Sequence, residues 1–188
     1  MGLILAATLM VGCSDHPSDD AASATHSASA SATLPPDSLP TKMKGAINKD
    51  LAFSVQDATD LGRTVDLQHA DVWRVCLTRK GKLENSVTFG AVPRGEKCPT
   101  HWDAHVPTPQ TPKVIGDDFQ HAYKELLKKG YNHEFIDVLY GSDQGAVNQQ
   151  DIQRVHGQVC HQYPKPGQPL DASENVKLYV ALKKCPRT

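Results

Sequence analysis

Four cysteines, arranged as two similar pairs, constrain the fold of this 188-residue chain more than any other feature. Each pair starts at Val-Cys and ends at Cys-Pro: "WRVC" leads to "EKCP" (Cys76, Cys98), and "GQVC" leads to "KKCP" (Cys160, Cys185). The separations are 22 and 25 residues. Four cysteines allow three pairings, but a repeated unit with its own pair most simply closes its own loop. The repetition therefore predicts disulfides between Cys76 and Cys98 and between Cys160 and Cys185.

The small size of each half explains the need for crosslinks. A domain of about 60 to 75 residues buries only roughly 60% of its unfolded surface. Closing a loop of about 20 residues adds about 3 kcal/mol in the chain-entropy model. We therefore expect each disulfide to be critical for stability, and an even count of cysteines in an exported chain is typical of disulfides.

The first residues, "MGLILAATLMVGC", are typical of an export signal. The apolar run from Leu3 to Val11 is too short to span a bilayer and has the length of a signal-peptide core. It ends in "MVGC", which resembles the bacterial lipobox. The resemblance implies a signal peptide over 1–12, lipidation of Cys13 and anchoring at the outer face of the cytoplasmic membrane. The alternatives are an ordinary cleaved signal, which would leave the protein secreted, or a buried N-terminal strand.

Composition separates a tether from the folded part and argues against one class of partner. Residues 14–41 are nearly all Ser, Ala, Thr, Asp and Pro. Such a segment cannot bury enough surface to offset its ordering entropy, which predicts a disordered tether over 13–41. A net charge of −1 and a pI near 6.7 provide no basic field for nucleic acid, so we expect no nucleic-acid partner.

The second half of the chain shows the clearest periodicity. A helix is expected from a cap at Asp117 or Asp118 to a left-handed stop at Gly130. Its apolar residues recur with the helical period at Phe119, Ala122, Tyr123, Leu126 and Leu127. Strands are expected over 133–140, over 158–162 and through Val176, Leu178 and Val180, with a loop over 141–156 and a turn at 164–167.

Three ordered motifs in this half resemble the PASTA module, the domain associated with penicillin-binding proteins and Ser/Thr kinases. They are Gly-x5-Ala-x3-Leu-x3-Gly from Gly116 to Gly130, Gly-x-Val-x-x-Gln-x-Pro-x-x-Gly from Gly157 to Gly167, and Val-x-Leu-x-Val from Val176 to Val180. The first half, "DATDLGRTVDLQHADVWRVC" followed by "VTFGAVPRGEKCP", resembles the cysteine-bearing PASTA-like repeats of actinobacteria. Its segment "KMKGAINKDLA" departs from the helix spacing of the family.

The resemblance implies an α+β fold of two tandem small modules, each a helix packed on a roughly three-stranded sheet. The expected bounds are a diverged PASTA-like module over 42–99, a linker over 100–112 and a PASTA-like module over 113–188. The implied function is that of a non-catalytic, monomeric envelope protein without cofactors, which binds peptidoglycan or cell-wall fragments. The alternative is a protein-interaction or spacer module without glycan affinity.

Arg63, Asp71 and Trp73 form the most suggestive set of candidate binding residues. A tryptophan beside an ion pair is a common element of sugar- and peptide-binding surfaces. The alternative, which we favour, is that Trp73 packs in the core while the ion pair holds the preceding loop. Tyr140, Tyr163 and Tyr179 are likewise interpreted first as strand packing.

Two sets of residues suggest chemistry. Cys160 lies beside His161, but neighbours on a strand point to opposite faces, which argues against a nucleophile and its base. Cys98, His101 and His105 have the spacing of zinc ligands, yet prolines bracket the segment, which favours a linker. We therefore expect neither catalysis nor a metal site, and we expect solvent-exposed positions for His69, His121, His133 and His156.

The mass of the natively exported protein tests the processing and the crosslinks together. We expect the mass of a chain that begins at Cys13, increased by the lipid and reduced by four hydrogens for two disulfides. Intact-mass spectrometry before and after reduction measures both. A chain that begins elsewhere or lacks the added lipid mass would contradict lipidation of Cys13.

Overall fold

A computed structural model describes residues 34–140, 144–169, 171, 174–182 and 185, which belong to one compact unit. The signal peptide, Cys13 and the tether up to residue 33 lie outside the described residues. The fold is α+β, as expected, with two helices and two sheets in the part of the chain described. None of the helices within these ranges has the length and apolar content to cross a membrane.

The first sheet has three strands and is covered by one helix. The elements are α1 (Leu39–Ile47), β1 (Ala52–Asp57), β2 (Trp73–Lys80) and β3 (Ser86–Pro93). The strand order is β1-β3-β2, with β1 parallel and β2 antiparallel to β3. The buried residues of this half surround Trp73.

The helix α1 begins inside the segment predicted as tether. Ser38 caps it, since its hydroxyl accepts a hydrogen bond from the backbone N–H of Thr41, and Pro40 lies in the first turn, where its missing N–H costs nothing. Leu39 is fully buried. The packed fold therefore starts before residue 41, because this short capped segment buries a large apolar side chain.

The second sheet has four strands and packs against the other helix. Its elements are α2 (Phe119–Lys128), β4 (Ile136–Tyr140), β5 (Gln144–Ala146), β6 (Gln158–Tyr163) and β7 (Val176–Ala181), in the order β5-β4-β7-β6. The pair β4 and β7 is parallel, and β6 is antiparallel to β7. The expected helix is confirmed with Asp118 as its cap, and its five predicted apolar residues are buried.

The predicted loop over 141–156 contains ordered structure instead. It includes β5 and a 3-10 helix at Gln149–Arg154, which buries Ile152 in the core of the second half. The side-chain amide of Gln120 on α2 donates to the carbonyl oxygens of Ile152 and Val155, at 3.1 and 3.0 Å. Two apolar residues in a polar stretch are thus held by the helix, a contact that local composition does not reveal.

The two predicted disulfides are present at equivalent places in the two sheets. Cys76 lies in β2 and bonds to Cys98, and Cys160 lies in β6 and bonds to Cys185, with Cα atoms 5.4 and 5.3 Å apart. In both sheets the strand register shifts at the cysteine, between Val75 and Leu77 in one and between Val159 and His161 in the other. Each crosslink therefore joins a bulged strand to the segment that follows its neighbour.

The segment predicted as a linker, 100–112, is packed at both ends. Ala104 is buried and forms a β-bridge with Thr59 in the first half. Thr111 is buried as well, and its backbone N–H donates to the carbonyl of Gln168 in the second half, at 2.8 Å. The segment is held because its backbone groups find partners in both halves.

Removal of one disulfide tests its contribution to stability. The double substitution Cys160→Ser and Cys185→Ser should lower the free energy of unfolding by about 3 kcal/mol, because a loop of 25 residues is no longer closed in the unfolded chain. The pair Cys76→Ser and Cys98→Ser should act similarly. Urea unfolding measures both, with Cys13→Ser as the control that leaves both loops closed. Unchanged unfolding free energies would contradict the expectation.

Candidate ligand-binding cleft

The buried guanidinium of Arg63 forms the centre of an ionic network in the first half. Its Nε donates to Oδ2 of Asp57 at 2.8 Å, while Nη1 and Nη2 donate to the two carboxylate oxygens of Glu96 at 2.6 and 2.9 Å. Burial by itself would lower the pKa of Arg63, but the hydrogen bonds that it donates to Glu96 and Asp57 outweigh the burial and raise the pKa above its ordinary value. The group therefore stays charged in the folded chain.

The structure brings two of the three candidate binding residues, Arg63 and Trp73, together and leaves Asp71 at the surface. Arg63 pairs with Asp57 and Glu96, which corrects the expected pair with Asp71. Trp73 is fully buried and lies under the guanidinium at 5.8 Å, and Arg63 itself is 4% exposed, whereas Asp71 lies at the surface. Arg63 and Trp73 are thus placed for packing, and neither side chain forms an open surface.

The same guanidinium meets the end of α2 at Gly130. This glycine has a φ of +87°, the left-handed conformation that ends the helix, as expected. A Cβ atom here would lie 2.8 Å from Cγ of Pro93 and 3.1 Å from Nη1 of Arg63. Only glycine lets the two halves approach so closely at this position.

The candidate nucleophile and the candidate zinc ligands have other bonding partners in the structure. Cys98 and Cys160 are both in disulfides, so neither offers a thiol as a metal ligand or nucleophile. Nδ1 of His105 lies 2.6 Å from a carboxylate oxygen of Asp60, and Nδ1 of His101 lies 3.1 Å from the hydroxyl of Thr100. The three candidate zinc ligands do not form a site.

Two histidines that were expected at exposed positions converge on a buried carboxylate instead. Nδ1 of His69 and Nδ1 of His133 lie 2.9 and 2.8 Å from Oδ2 of Asp66. The side chains of Asp66, His69 and His133 are 1%, 22% and 12% exposed. The prediction of exposed positions was wrong for both histidines: His69 lies three positions from Asp66 along the chain, and His133 reaches it across 67 positions.

The carboxylate of this cluster is ionised at neutral pH. Burial would raise the pKa of Asp66, but hydrogen bonds from the backbone and ring of His133 and from the ring of His69 outweigh it and lower the pKa. The buried ring of Tyr123 packs edge-on against His69, with centroids 5.9 Å apart. Burial and the charge of Asp66 raise the pKa of Tyr123 to about 12, so its hydroxyl stays protonated.

A surface cleft of about 760 Å³ lies where the two halves meet. The first half and the segment after it contribute Asp60, Leu61, Gly62 and Thr108, and the second half contributes Tyr163, Pro164, Gln168, Pro169, Asp171 and Glu174. Tyr163 is 46% exposed, and its hydroxyl donates to Oε1 of Glu174 at 2.7 Å. The cleft therefore presents an oriented aromatic ring beside several carboxylates.

The loop that carries Tyr163 is held by the buried amide of Gln162. Its Nε2 donates to the carbonyl oxygens of Pro112 and Pro164 at 2.9 and 3.1 Å, and its Oε1 accepts from the N–H of Val114 at 2.9 Å. Because successive side chains on a strand alternate, the inward Gln162 turns Tyr163 outward. The predicted turn brings the N–H of Gly167 to the carbonyl of Thr111 at 2.9 Å.

The residues that build this loop and its sheet match a known family. Residues 109–182 are a PASTA domain. A PASTA domain indicates a non-catalytic role related to the cell wall or peptidoglycan, and a location outside the cytoplasm. Neither the curated proteins nor the solved structures include a significant match to the chain.

The PASTA domain supplies one wall of the cleft and its aromatic ring. The hydrogen bond to Glu174 raises the pKa of Tyr163, so the hydroxyl remains a donor at neutral pH. On the opposite wall, the hydrogen bond from His105 lowers the pKa of Asp60, whose carboxylate stays ionised. An aromatic face flanked by carboxyl groups suits a ligand with many hydroxyl groups, which stacks on the ring and donates to the oxygens.

Sequence reasoning missed Tyr163 as a cleft residue and interpreted it as strand packing. A local signal was present, since Tyr163 alternates with the motif glutamine of the PASTA domain and precedes a proline. The other residues of the cleft had no such signal. Asp60 and Glu174 lie more than one hundred positions apart in the chain.

Substitution of Arg63 tests the ionic network of the first half. Arg63→Met should lower the free energy of unfolding by about 3 to 5 kcal/mol, because the buried carboxylate of Asp57 loses its charged partner. Arg154→Met removes an exposed ion pair with Asp151 and should change the free energy of unfolding by less than about 1 kcal/mol. Urea unfolding at neutral pH measures both, and equal effects would refute a central role for Arg63.

Proposed function

We propose that this chain is a non-catalytic cell-envelope protein that binds peptidoglycan through the cleft at Tyr163. The observation that carries the proposal is the PASTA domain at residues 109–182, whose Gln162-supported loop presents an exposed tyrosine to an open cleft. The PASTA domain supports the ligand class, and the exposed ring of Tyr163 at the cleft supports the position of the contact surface.

A glycan strand fits the chemistry of the cleft. The apolar face of a sugar ring can cover the exposed ring of Tyr163, which Glu174 holds in one orientation. Hydroxyl and amide N–H groups around the sugar can donate to the carboxylates of Asp60 and Glu174. A ring held in place before binding loses little conformational entropy when the ligand arrives, which favours affinity.

We also propose that the first half is a diverged copy of the PASTA domain, with modules over 42–99 and 113–188 joined by 100–112. The strand orders β1-β3-β2 and β4-β7-β6 support this. In each set of three, the first and last strands along the chain are parallel neighbours, and the strand between them in sequence is antiparallel to the last. The disulfide at a register shift in each second strand supports it further.

The proposed location is the outer face of the cytoplasmic membrane. The N-terminal "MVGC" supports a lipid on Cys13, and the Ser- and Ala-rich segment that follows would connect this membrane anchor to the folded part of a monomer. The PASTA domain supports the same side of the membrane.

Retention on purified peptidoglycan tests the binding function. The disulfide-intact full chain should sediment with insoluble peptidoglycan, and Tyr163→Ala should weaken retention up to about tenfold because the stacking surface is lost. Tyr163→Phe keeps the ring and should retain most of the binding. Leu83→Ala, at an exposed apolar residue outside the cleft, serves as the control.

Two outcomes of this experiment would count against the proposal. Retention of the wild-type chain no greater than that of an unrelated disulfide-bonded protein would favour a spacer or protein-interaction module. Retention that Tyr163→Ala and Leu83→Ala leave equally strong would place the glycan contact outside the cleft.

A further inference from the structure

We propose that Asp66, His69 and His133 form a binding site for a divalent transition-metal ion, for which zinc has the best-matched chemistry. A ligand-type atom of each residue lies within 4.8 Å of the other two. This site is separate from the cleft and does not depend on peptidoglycan binding.

The three side chains already point to a common position. Nδ1 of both imidazoles faces the same oxygen, Oδ2 of Asp66, at 2.9 and 2.8 Å. Ligands of a tetrahedral zinc ion at about 2.0 to 2.1 Å from the metal are about 3.3 Å apart. To admit the ion, each ring would move away from Oδ2 by about 0.4 Å, and the ring nitrogens of the two histidines would settle about 3.3 Å apart, with a water molecule in the fourth position.

The chemistry of the donor set favours zinc over the harder cations. Two imidazoles and one carboxylate are typical zinc ligands, whereas calcium and magnesium prefer oxygen ligands alone. Each histidine would bind through Nδ1 in its neutral form, with the remaining proton on Nε2. The ion would replace the two contacts between the histidine rings and Asp66, while the backbone N–H groups would still donate to the carboxylate.

Backbone N–H groups hold the carboxylate in place, as the groups around metal ligands commonly do in metal sites. Oδ1 of Asp66 accepts from the N–H groups of Gln68 and His69 at 3.0 and 3.2 Å, and Oδ2 accepts from the N–H of His133 at 3.0 Å. Such bonds orient a ligand before the ion arrives and raise affinity. Since the carboxylate is held by three backbone groups, only the two rings need to move.

The charge balance of the cluster also favours a cation. The buried Asp57 is paired with Arg63, a permanent cation, but the equally buried Asp66 is paired with two histidines. A buried carboxylate is stabilised both by hydrogen bonds and by an opposite charge, and the hydrogen bonds to Asp66 come from groups without a permanent charge. A divalent ion would supply that charge, and the partial exposure of both histidine side chains leaves it a path from solvent.

Such an ion would connect the two halves of the fold. Asp66 and His69 precede β2 in the first half, whereas His133 follows α2 in the PASTA domain. Anything that binds the folded chain and not the unfolded chain stabilises it. Zinc is therefore expected to raise the unfolding temperature of the whole unit.

Equilibrium dialysis of the untagged full chain against zinc, followed by elemental analysis, tests the site. We expect one saturable equivalent of zinc in the wild-type protein and a rise in unfolding temperature that a chelator reverses. His69→Gln and His133→Gln should each weaken zinc binding by at least about tenfold. His121→Gln is the matched control, since His121 is an exposed histidine beside a carboxylate, that of Asp117, at 3.9 Å.

Circular dichroism and intact mass establish that each variant keeps its fold and both disulfides. Loss of zinc in folded His69→Gln or in folded His133→Gln, with His121→Gln unaffected, supports the site. No saturable zinc uptake by the wild-type chain overturns it, and so does uptake that survives both substitutions or is lost equally in the control. Peptidoglycan retention is measured without zinc, so the two proposals fail or succeed separately.

Discussion

The buried guanidinium of Arg63 is the interaction on which the arrangement of the folded chain depends. It pairs with Asp57 at the end of β1 and with Glu96 beyond β3, covers Trp73 in β2, and meets α2 at Gly130. A buried charge is tolerated only when its partners are in place. The ends of β1 and β2 and the segment after β3 are therefore fixed together by the requirement to pair one cation, and α2 ends close to it.

Around this network the described chain builds two sheets, one of three strands and one of four, each accompanied by a helix. Each sheet contains a parallel strand pair, β1 with β3 or β4 with β7. Each also contains a bulged antiparallel strand, β2 or β6, that carries a cysteine. Neither apolar core is large, and Val72 packs against both. The disulfides limit the unfolded ensemble of each unit, and the shared contacts make the two units one compact body.

Both proposed sites lie where the units meet. The cleft takes Asp60 from the first half and Tyr163 from the PASTA domain, and the metal cluster takes Asp66 from the first half and His133 from the PASTA domain. Junctions between packed units commonly hold binding sites, because concave surfaces and side chains from distant segments come together there. The PASTA domain by itself would provide only part of either site.

The sequence by itself determined the local features of this protein. The periodicity of Phe119 to Leu127, the stop at Gly130 and the repeated cysteine pairs predicted α2 and both disulfides, because these features depend on neighbours or on a repeat. Prediction was weaker where contacts are distant. The sequence predicted a loop around Ile152, whereas in the structure a hydrogen bond from α2 holds this residue in the core.

Tertiary structure alone decided which polar residues meet. The sequence predicted an ion pair between Arg63 and Asp71, but folding pairs Arg63 with Asp57 and Glu96. Folding also brings His133 to Asp66 across 67 positions of the chain. Secondary structure follows from short-range backbone and side-chain preferences, whereas ion pairs, clefts and metal ligands depend on packing that closes long loops, which no local pattern records.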